Sequence, residues 1–205
     1  MRKSLKSDVL AAARSLFMSQ GYDGVGMREI ARAVGREPVQ IYRLKLSKSD
    51  ILAELILALN DEQITRLPEL HAMADQHPTL EAKVCGYLRA LYAADIEFLP
   101  IRAVGAAHGW AWGPDYEKRV IAQLMQLIQP VRTWLAQAAL DQVEARCYAV
   151  WSLYYVGFRR AVMQGASPDD CLGEIRPSVE LLLRPAPSAA PAKPRLKRAR
   201  AALDV

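Results

Sequence analysis

Apolar residues recur every three or four positions along most of this chain, which is the spacing that gives an α-helix one buried face. No stretch alternates apolar and polar residues with the period of two that a half-buried β-strand requires. Leu, Ala, Arg and Gln, which favour helices, dominate the composition. The pattern predicts an all-α protein of about nine helices, with a small N-terminal head of three helices and a larger helical body.

Three short helices are predicted for the head. The first runs from Ser7, which is placed to cap it, to Gln20. The second covers about residues 27–34 and the third about residues 38–44, beginning with a proline, which the first turn of a helix tolerates. Gly35 separates the two, and two short helices joined by a turn that contains glycine are the ingredients of a helix-turn-helix.

The body is predicted to begin with a long helix that starts at Ser47. Ser47 and Asp50 form a capping-box pattern, and the apolar stripe that follows continues to about Leu67. Residues 68–78, bounded by prolines, are predicted to be a loop or a broken helix. Further helices are expected over 79–98, 100–112, 114–140 with a bend at Pro130, 141–164 and 168–184.

Charge is distributed unevenly between these parts. Residues 1–50 carry a net charge of +5, residues 51–184 carry −4 and residues 185–205 carry +4. A basic head on an acidic body places a polyanion-binding surface at the N-terminus. Residues 185–205, rich in Ala, Pro, Lys and Arg, are predicted to be a disordered basic tail.

Several classes of protein are excluded by what the sequence lacks. The longest uncharged runs are too short to cross a membrane, and no apolar run follows the basic N-terminus, so we expect a cytoplasmic protein without a signal peptide. Cys85, Cys147 and Cys171 are scattered, which indicates neither a zinc site nor a disulfide framework. No paired carboxylates, Ser/His/Asp arrangement or phosphate loop is apparent, so we expect no enzyme, cofactor or metal.

The head resembles the DNA-binding domain of the tetracycline-repressor (TetR) family over Leu10 to Leu52, about a fifth of the chain. The matching residues are Ala12-Ala13, Leu16-Phe17, Gly21-Tyr22-Asp23, Met27-Arg28-Glu29-Ile30-Ala31, Val34-Gly35, Ile41-Tyr42, Ser47-Lys48 and Asp50-Ile51-Leu52. The chain departs from the family at Gly26, at residues 37–39 and at residues 43–46, where the family's usual aromatic residue is absent. Leu44 or Leu46 is expected to fill the space of that residue.

The resemblance implies a helix-turn-helix domain over residues 1–48 that binds double-stranded DNA. The third helix would enter the major groove with Ile41 buried, so that its outward side chains meet the bases. Tyr42 and Lys48 match family positions that touch phosphates, and Lys48 and Arg28 both lie in first turns of helices, where anions bind. The predicted DNA-binding residues are Arg28, Arg36, Val39, Gln40, Tyr42, Arg43 and Lys48.

Residues 49–184 are, by the same resemblance, expected to bind a ligand and to form a homodimer. Clustered aromatic residues suggest a pocket for an apolar or aromatic effector, lined by Tyr92, His108, Trp110, Trp112, Trp151 and Tyr155. The helix at 141–164 is apolar nearly all round, as a dimer helix would be. The predicted dimer residues are Tyr154, Phe158, Val179, Leu182 and Leu183.

The function expected is a DNA-binding transcriptional regulator, a ligand-responsive repressor that binds a palindromic operator as a dimer. One alternative is a helical ligand-binding protein or enzyme whose head no longer binds specific DNA. Another is a head that serves as a protein-interaction module, which the unusual residues 43–46 would fit. Salt-dependent binding to the promoter of its own gene would separate the first hypothesis from both others.

Overall fold

The protein is built from α-helices, as the sequence predicts. The computed structural model describes the backbone of residues 2–185 and the side chains of residues 5–109 and 111–185. No strand occurs within residues 2–185, which confirms the all-α class. The helices are α1 (Arg2–Gln20), α2 (Met27–Ala33), α3 (Pro38–Tyr42), α4 (Lys48–Thr65), α5 (Leu67–Asp75), α6 (Leu80–Glu97), α7 (Leu99–His108), α8 (Pro114–Leu127), α9 (Gln129–Gln137), α10 (Val143–Gln164) and α11 (Pro168–Leu182), with a 3₁₀ turn at Gly109–Ala111. The predicted basic tail, apart from Pro185, lies outside the described residues.

Two prolines explain why the described chain has more helices than the sequence suggests. Residues 68–78 contain α5, because Pro68 occupies the first turn of that helix, where an N–H is not needed. The expected long helix over 114–140 is divided at Ile128 into α8 and α9, and Pro130 lies in the first turn of α9. The proline therefore starts a new helix and does not merely bend one.

Helices α1 and α3 also differ from their predicted bounds. Helix α1 passes through Ser7, so Ser7 is not its cap. The helix begins before Ser7 because residues of its first turns make tertiary contacts. Leu5 packs against the core of the head, and the Lys6 Nζ lies 3.0 Å from Glu54 Oε1. Helix α3 ends at Tyr42, and Lys45 takes a left-handed backbone conformation with a φ of 55°.

One of two hydrophobic clusters forms the core of the head. It joins α1, α2 and α3 to the first half of α4 and to Ile101 of α7; its fully buried members include Val9, Ala13, Phe17, Ile30, Ile41, Ile51 and Leu52. A head of this size has little core of its own. The division into residues 1–48 and 49–184 remains a prediction, and side chains of α4 and α7 complete the core of the head.

The second cluster forms the core of the body. Helix α10 packs along α11, and α11 packs on α6. Gly157 permits the close approach, since a Cβ built there would lie 2.2 Å from Tyr92 Oη and 2.6 Å from the Cys171 carbonyl oxygen. The buried members include Val84, Tyr87, Leu88, Tyr92, Val131, Trp134, Val150, Tyr154, Phe158, Ile175 and Val179, together with the three free cysteines.

Candidate nucleic-acid interface and the polar core of the body

Helix α3 exposes one side to solvent, because Ile41 on its opposite side is buried in the head. Ile41 is fully buried, whereas Val39 and Tyr42 are exposed over 56% and 58% of their surface. Arg36, just before the helix, and Arg43, just after it, are also exposed. These four side chains therefore lie on the outside of the head, as a helix that reads a groove requires.

Gln40 has a local partner that the sequence did not reveal. Its Oε1 accepts a hydrogen bond from the backbone N–H of Glu37, the N-cap of α3, at 3.1 Å. A bidentate contact with adenine uses both the oxygen and the nitrogen of a glutamine amide. Such a contact at Gln40 would thus require the capping bond to be released or shared.

Lys48 lies at the start of α4, where two side chains fix the turn. Ser47 Oγ accepts from the Asp50 N–H at 3.1 Å, and the Asp50 carboxylate accepts from the Ser47 N–H at 2.8 Å, which is the expected capping box. The Lys48 Nζ is 4.0 Å from the centre of the Tyr22 ring. Burial, then the charge of Asp23, raises the pKa of Tyr22, so this ring stays neutral beside the lysine.

The positions that depart from the family pattern are accommodated by neighbouring side chains. Gly26 is the N-cap of α2, and its N–H donates to Glu29 Oε2 at 3.0 Å. Leu44 and Leu46 are both half-buried against the core of the head, so both fill the space expected for one of them. Arg28, in the first turn of α2, is exposed, as a phosphate contact would need.

The predicted effector pocket is divided by the structure into two separate groups. His108 is exposed, and its ring lies 5.5 Å from that of Tyr22, in contact with the head. Trp112 is half-buried in the core of the head beside Gly105. The side chain of Trp110 lies outside the described part of the chain. Helix α7 places this segment near α1 and α4, so His108 and Trp112 lie away from the other predicted pocket residues, and their role in a pocket remains a prediction.

The other three predicted pocket residues lie around one ring, that of Tyr154. Tyr92 is fully buried, stacks on Tyr154 at 4.4 Å between ring centres, and donates from its hydroxyl to the Tyr154 carbonyl at 2.8 Å. Trp151 is half-buried and stacks on the other side of Tyr154 at 5.2 Å. Tyr155, in contrast, is 41% exposed and meets the edge of Trp151.

Most of the predicted dimer residues face the interior of their own chain. Tyr154, Phe158, Val179 and Leu183 are all buried in the body, and only Leu182 remains half-buried. Within one chain α10 packs against α11 and α6, and the assignment of these residues to a dimer surface remains a prediction. The exposed apolar residues nearby are Tyr148, Val156, Met163 and Leu181.

A buried polar cluster, which we call the polar core, connects four helices of the body, α4, α6, α7 and α8, and accepts a hydrogen bond from Tyr154 of α10. Asn60 and Gln63 of α4, Arg102 of α7 and Gln123 of α8 are each at least nine-tenths buried. Arg102 Nη1 donates to Asn60 Oδ1 at 2.5 Å, and the Asn60 Nδ2 donates to Gln123 Oε1 at 3.0 Å. These bonds tie α7 and α8 to the same turn of α4.

Asp95 of α6 completes the polar core. Its Oδ1 accepts from Gln63 Nε2 at 2.7 Å and lies 3.1 Å from Arg102 Nε, while its Oδ2 accepts from the Tyr154 hydroxyl at 2.7 Å. Burial, then the Asp95 charge, raises the pKa of Tyr154 well above its usual value, so the phenol remains a donor. Sequence reasoning missed this cluster, although Arg102 is the lone charge among the apolar residues 99–107 and could have signalled it.

Contacts beyond α4 also join the head to the body. Glu54 Oε1 is 3.0 Å from Lys6 Nζ and 3.4 Å from Arg119 Nη1, so one carboxylate links α1, α4 and α8. Burial acts to raise the pKa of Glu54, but the hydrogen bonds and charges of Lys6 and Arg119 outweigh it and lower that pKa. Burial, then the Glu54 charge, raises the pKa of Tyr116 to about 12.

Two clefts open on the surface of the body. The larger, of about 700 Å³, is lined by Leu67, Pro68, His71, Met125, Gln126, Gln129, Pro130, Arg132 and Thr133. The smaller, of about 450 Å³, lies between the ends of α10 and α11 and is lined by Asp141, Gln142, Ala145, Arg146, Leu181, Leu182, Arg184 and Pro185. Neither includes a residue of the predicted effector pocket.

Comparison with known proteins supports the interpretation of the head. The sequence model of bacterial regulatory proteins of the tetR family matches residues 9–55, which span the helix-turn-helix and the first part of α4. No curated protein matches this sequence. Among residues 2–185, no helix is long and apolar enough to cross a membrane.

Solved structures share the fold of the whole chain. A transcriptional regulator of the TetR/AcrR family from Thermobifida fusca has 18% identity and a TM-score of 0.63, with 90% of this chain and 100% of that chain covered. The regulator FadR from Bacillus subtilis, solved with stearoyl-CoA, has 18% identity and a TM-score of 0.62, covering 86% of this chain and 97% of that one. The regulator PfmR from Thermus thermophilus has 19% identity and a TM-score of 0.58, covering 88% and 96%.

The resemblance stated from the sequence is therefore confirmed. Residues 9–55 match the sequence model of bacterial regulatory proteins of the tetR family, and the chain shares the all-helical fold of solved structures of regulators of that family.

Proposed function

We propose that the protein is a ligand-responsive transcriptional repressor that binds a palindromic operator as a homodimer. The observation that carries the proposal is the outward face of α3, where Arg36, Val39, Tyr42 and Arg43 are exposed while Ile41 holds the helix in the head. Residues 1–48 would bind DNA, and residues 49–184 would bind the effector and the second subunit. The tetR-family match over residues 9–55 supports the DNA-binding part of this proposal.

Phosphate binding is assigned to side chains at helix starts. Lys48 at the beginning of α4 and Arg28 at the beginning of α2 present cations beside free backbone N–H groups, which also favour an anion. Contacts of this kind fix register and affinity but carry no sequence information. Gln40 and Val39 of α3, with Arg36 and Arg43 on either side of it, would then supply base recognition.

Dimerisation is assigned to a stripe of α10 together with the end of α11. Tyr148, Val156 and Met163 are exposed and recur at positions that share one side of a helix. Leu181 and the half-buried Leu182 continue the surface, and both line the smaller cleft with Ala145, one turn before Tyr148. A second copy related by a two-fold axis would cover this stripe and place two heads at a fixed spacing, which requires a palindromic site.

Response to a ligand is proposed because FadR, a regulator of the same fold, was solved with stearoyl-CoA. In this chain α4 and α7 contribute to the core of the head and also hold the polar core. A ligand that moves these helices would change the distance between two heads. The change in DNA affinity equals the ligand's differential affinity for the two conformations, typically 1–3 kcal/mol.

The test of DNA binding compares two lysines on the full chain. Lys48→Ala should weaken binding to the promoter of the protein's own gene and to unrelated DNA equally, and should lower the slope of affinity against salt by about one unit. Lys118→Ala, on an exposed site of α8, is the matched control and should leave both unchanged. Wild-type binding that does not depend on salt, or equal effects of the two substitutions, would contradict the proposed interface.

A further inference from the structure

Arg102 is the one charged side chain, among those that the structure describes, that is more than nine-tenths buried. It comes from α7, and its partners Asn60 and Asp95 come from α4 and α6. The Asp95 carboxylate balances its charge, and the carboxylate of Asp61 accepts from Gln123 Nε2 at 2.6 Å at the edge of the polar core. What the site contains in excess is hydrogen-bond donors.

The donors and acceptors of the polar core do not balance. Both oxygens of Asp95 accept hydrogen bonds, from Gln63 and from Tyr154, and the amides of Asn60 and Gln123 are bonded to each other. Arg102 Nη2 is fully buried and has no acceptor among the described residues. Its Nε lies near Asp95 Oδ1 but is not aligned with it as a hydrogen bond.

A second buried donor without a partner belongs to Trp151, whose ring stacks on that of Tyr154. Trp151 Nε1 is fully buried and makes no well-aligned hydrogen bond in the described part of the chain, although the side chain of Tyr155 lies beside it. Tyr154 joins the two donors, since its ring stacks on Trp151 and its hydroxyl donates to Asp95, which lies beside Arg102. Buried donors are nearly always paired, so two unpaired N–H groups around one tyrosine call for an acceptor.

We propose that the polar core binds the acceptor oxygen of a small-molecule effector, in a carboxylate or a carbonyl group, through Arg102 Nη2 and Trp151 Nε1. This assignment rests on the proposed function, in that it takes the body to be a ligand sensor. A cationic or purely donating group matches this site poorly, because its unpaired groups are donors and the oxygens of Asp95, Asn60 and Gln123 already accept hydrogen bonds. The remainder of the effector is apolar, because it would lie against aromatic rings between the polar core and the surface. The ring of Trp151 contacts the half-exposed ring of Tyr155, at 5.8 Å between ring centres.

The experiment measures binding of matched compounds to the full-length protein by calorimetry, in the absence of DNA. The compounds are octanoate, methyl octanoate and octylamine, with cinnamate, methyl cinnamate and cinnamylamine as an aromatic series. The acids or the esters of at least one series should bind, and the amines should not. Binding of an amine as tight as that of its acid, or binding by none of the compounds, would overturn the proposal.

Three substitutions locate the site. Trp151→Phe keeps the ring and removes the N–H, so affinity for the bound acid or ester should fall about tenfold, as for one lost hydrogen bond to such an acceptor. Trp112→Phe is the matched control, because Trp112 Nε1 is also buried without a described partner but lies in the core of the head. Its affinity should equal that of the wild type. Equal affinities for Trp151→Phe and the wild type would refute the site.

Arg102→Met tests the second donor and should also weaken binding about tenfold or more. Circular dichroism checks that this variant folds, because it leaves Asp95 without its cation; if it does not fold, Trp151→Phe decides the outcome. Failure of the sensor function is distinguishable from failure of the site. Ligand binding that depends on Trp151 but leaves DNA affinity unchanged would preserve the site and remove the proposed regulation.

Discussion

Substitution of two glycines in the body should have opposite effects on stability, although both lie inside helices. Gly157 of α10 faces Tyr92 and the backbone of α11, where an added Cβ would lie 2.2 Å from Tyr92 Oη and 2.6 Å from the Cys171 carbonyl oxygen. Gly173 of α11 is exposed, and a Cβ there would meet no atom of the described residues within 4 Å. The two sites therefore separate the effect of packing from that of helix propensity.

The magnitudes follow from three terms: helix propensity, overpacking and one weakened hydrogen bond. Replacing glycine by alanine inside a helix stabilises it by about 1 kcal/mol, which Gly173→Ala should gain in full. Gly157→Ala gains the same term but forces α10 away from α11 and displaces Tyr92, and overpacking of this kind costs about 1–3 kcal/mol. Moving Tyr92 also weakens the hydrogen bond of 2.8 Å to the Tyr154 carbonyl, worth about 1 kcal/mol. Gly157→Ala should thus lower the free energy of unfolding by about 1–3 kcal/mol.

Equilibrium urea denaturation followed by circular dichroism measures both variants. Tyr92→Phe in the Gly157→Ala background should recover part of the loss, because it removes the nearer of the two clashing atoms and leaves the Cys171 carbonyl in place. If Gly157→Ala were as stabilising as Gly173→Ala, the described packing of α10 against α11 and Tyr92 would be wrong.

Three further predictions concern base recognition, assembly and pH. Gln40→Ala should relax base preference at one operator position by roughly 1–3 kcal/mol, unlike the uniform loss expected for Lys48→Ala, and sequence-independent weakening in a panel of single-base variants would count against α3 in the groove. Met163→Glu, on the exposed side of α10, should give a folded monomer in light scattering, whereas Phe158→Glu, in the core, should unfold the chain; a Met163→Glu protein that remains dimeric would place the interface elsewhere. The pKa of Glu54 is lowered in the folded protein, so its contribution to stability is present above the ordinary pKa of glutamate, about 4.3, and is lost as the pH falls through the lower folded value. Urea titrations of Glu54→Gln should therefore show a smaller loss of stability on acidification than the wild type, and an identical pH profile would mean that Lys6 and Arg119 do not stabilise the carboxylate.

The head could be predicted from the sequence because its signals are local. Gly21 and Gly35 have positive φ where the sequence placed helix ends, and Ser47 caps α4 with Asp50 three residues later. Ile41 alone decides which way α3 faces, since it is the one buried residue of that helix. The sequence predicts that α1 starts at Ser7 and not at Arg2, because the contacts that hold Leu5 and Lys6 in the helix are with residues distant in sequence.

The sites of the body could not be predicted in the same way, because they depend on which helices meet. Helix α10 is apolar on several sides, and the sequence does not reveal which side another helix of the same chain covers; Tyr154 and Phe158 were therefore assigned to a dimer surface although they lie in the core. The hydrogen bonds of the polar core join residues that are 32 to 63 positions apart, from Gln63 and Asp95 to Asn60 and Gln123. No helical period encodes such contacts, and a lone arginine among apolar residues is the one local sign of them.

Selection of sequences from a random pool of double-stranded DNA by the full-length protein tests whether the head reads DNA as a two-fold dimer. We expect enrichment of an inverted repeat whose half-sites are separated by a whole number of helical turns. We also expect Gln40→Ala to relax one position in each half-site. A pool that shows no enrichment, or enrichment of a single unrepeated site, would contradict two-fold recognition.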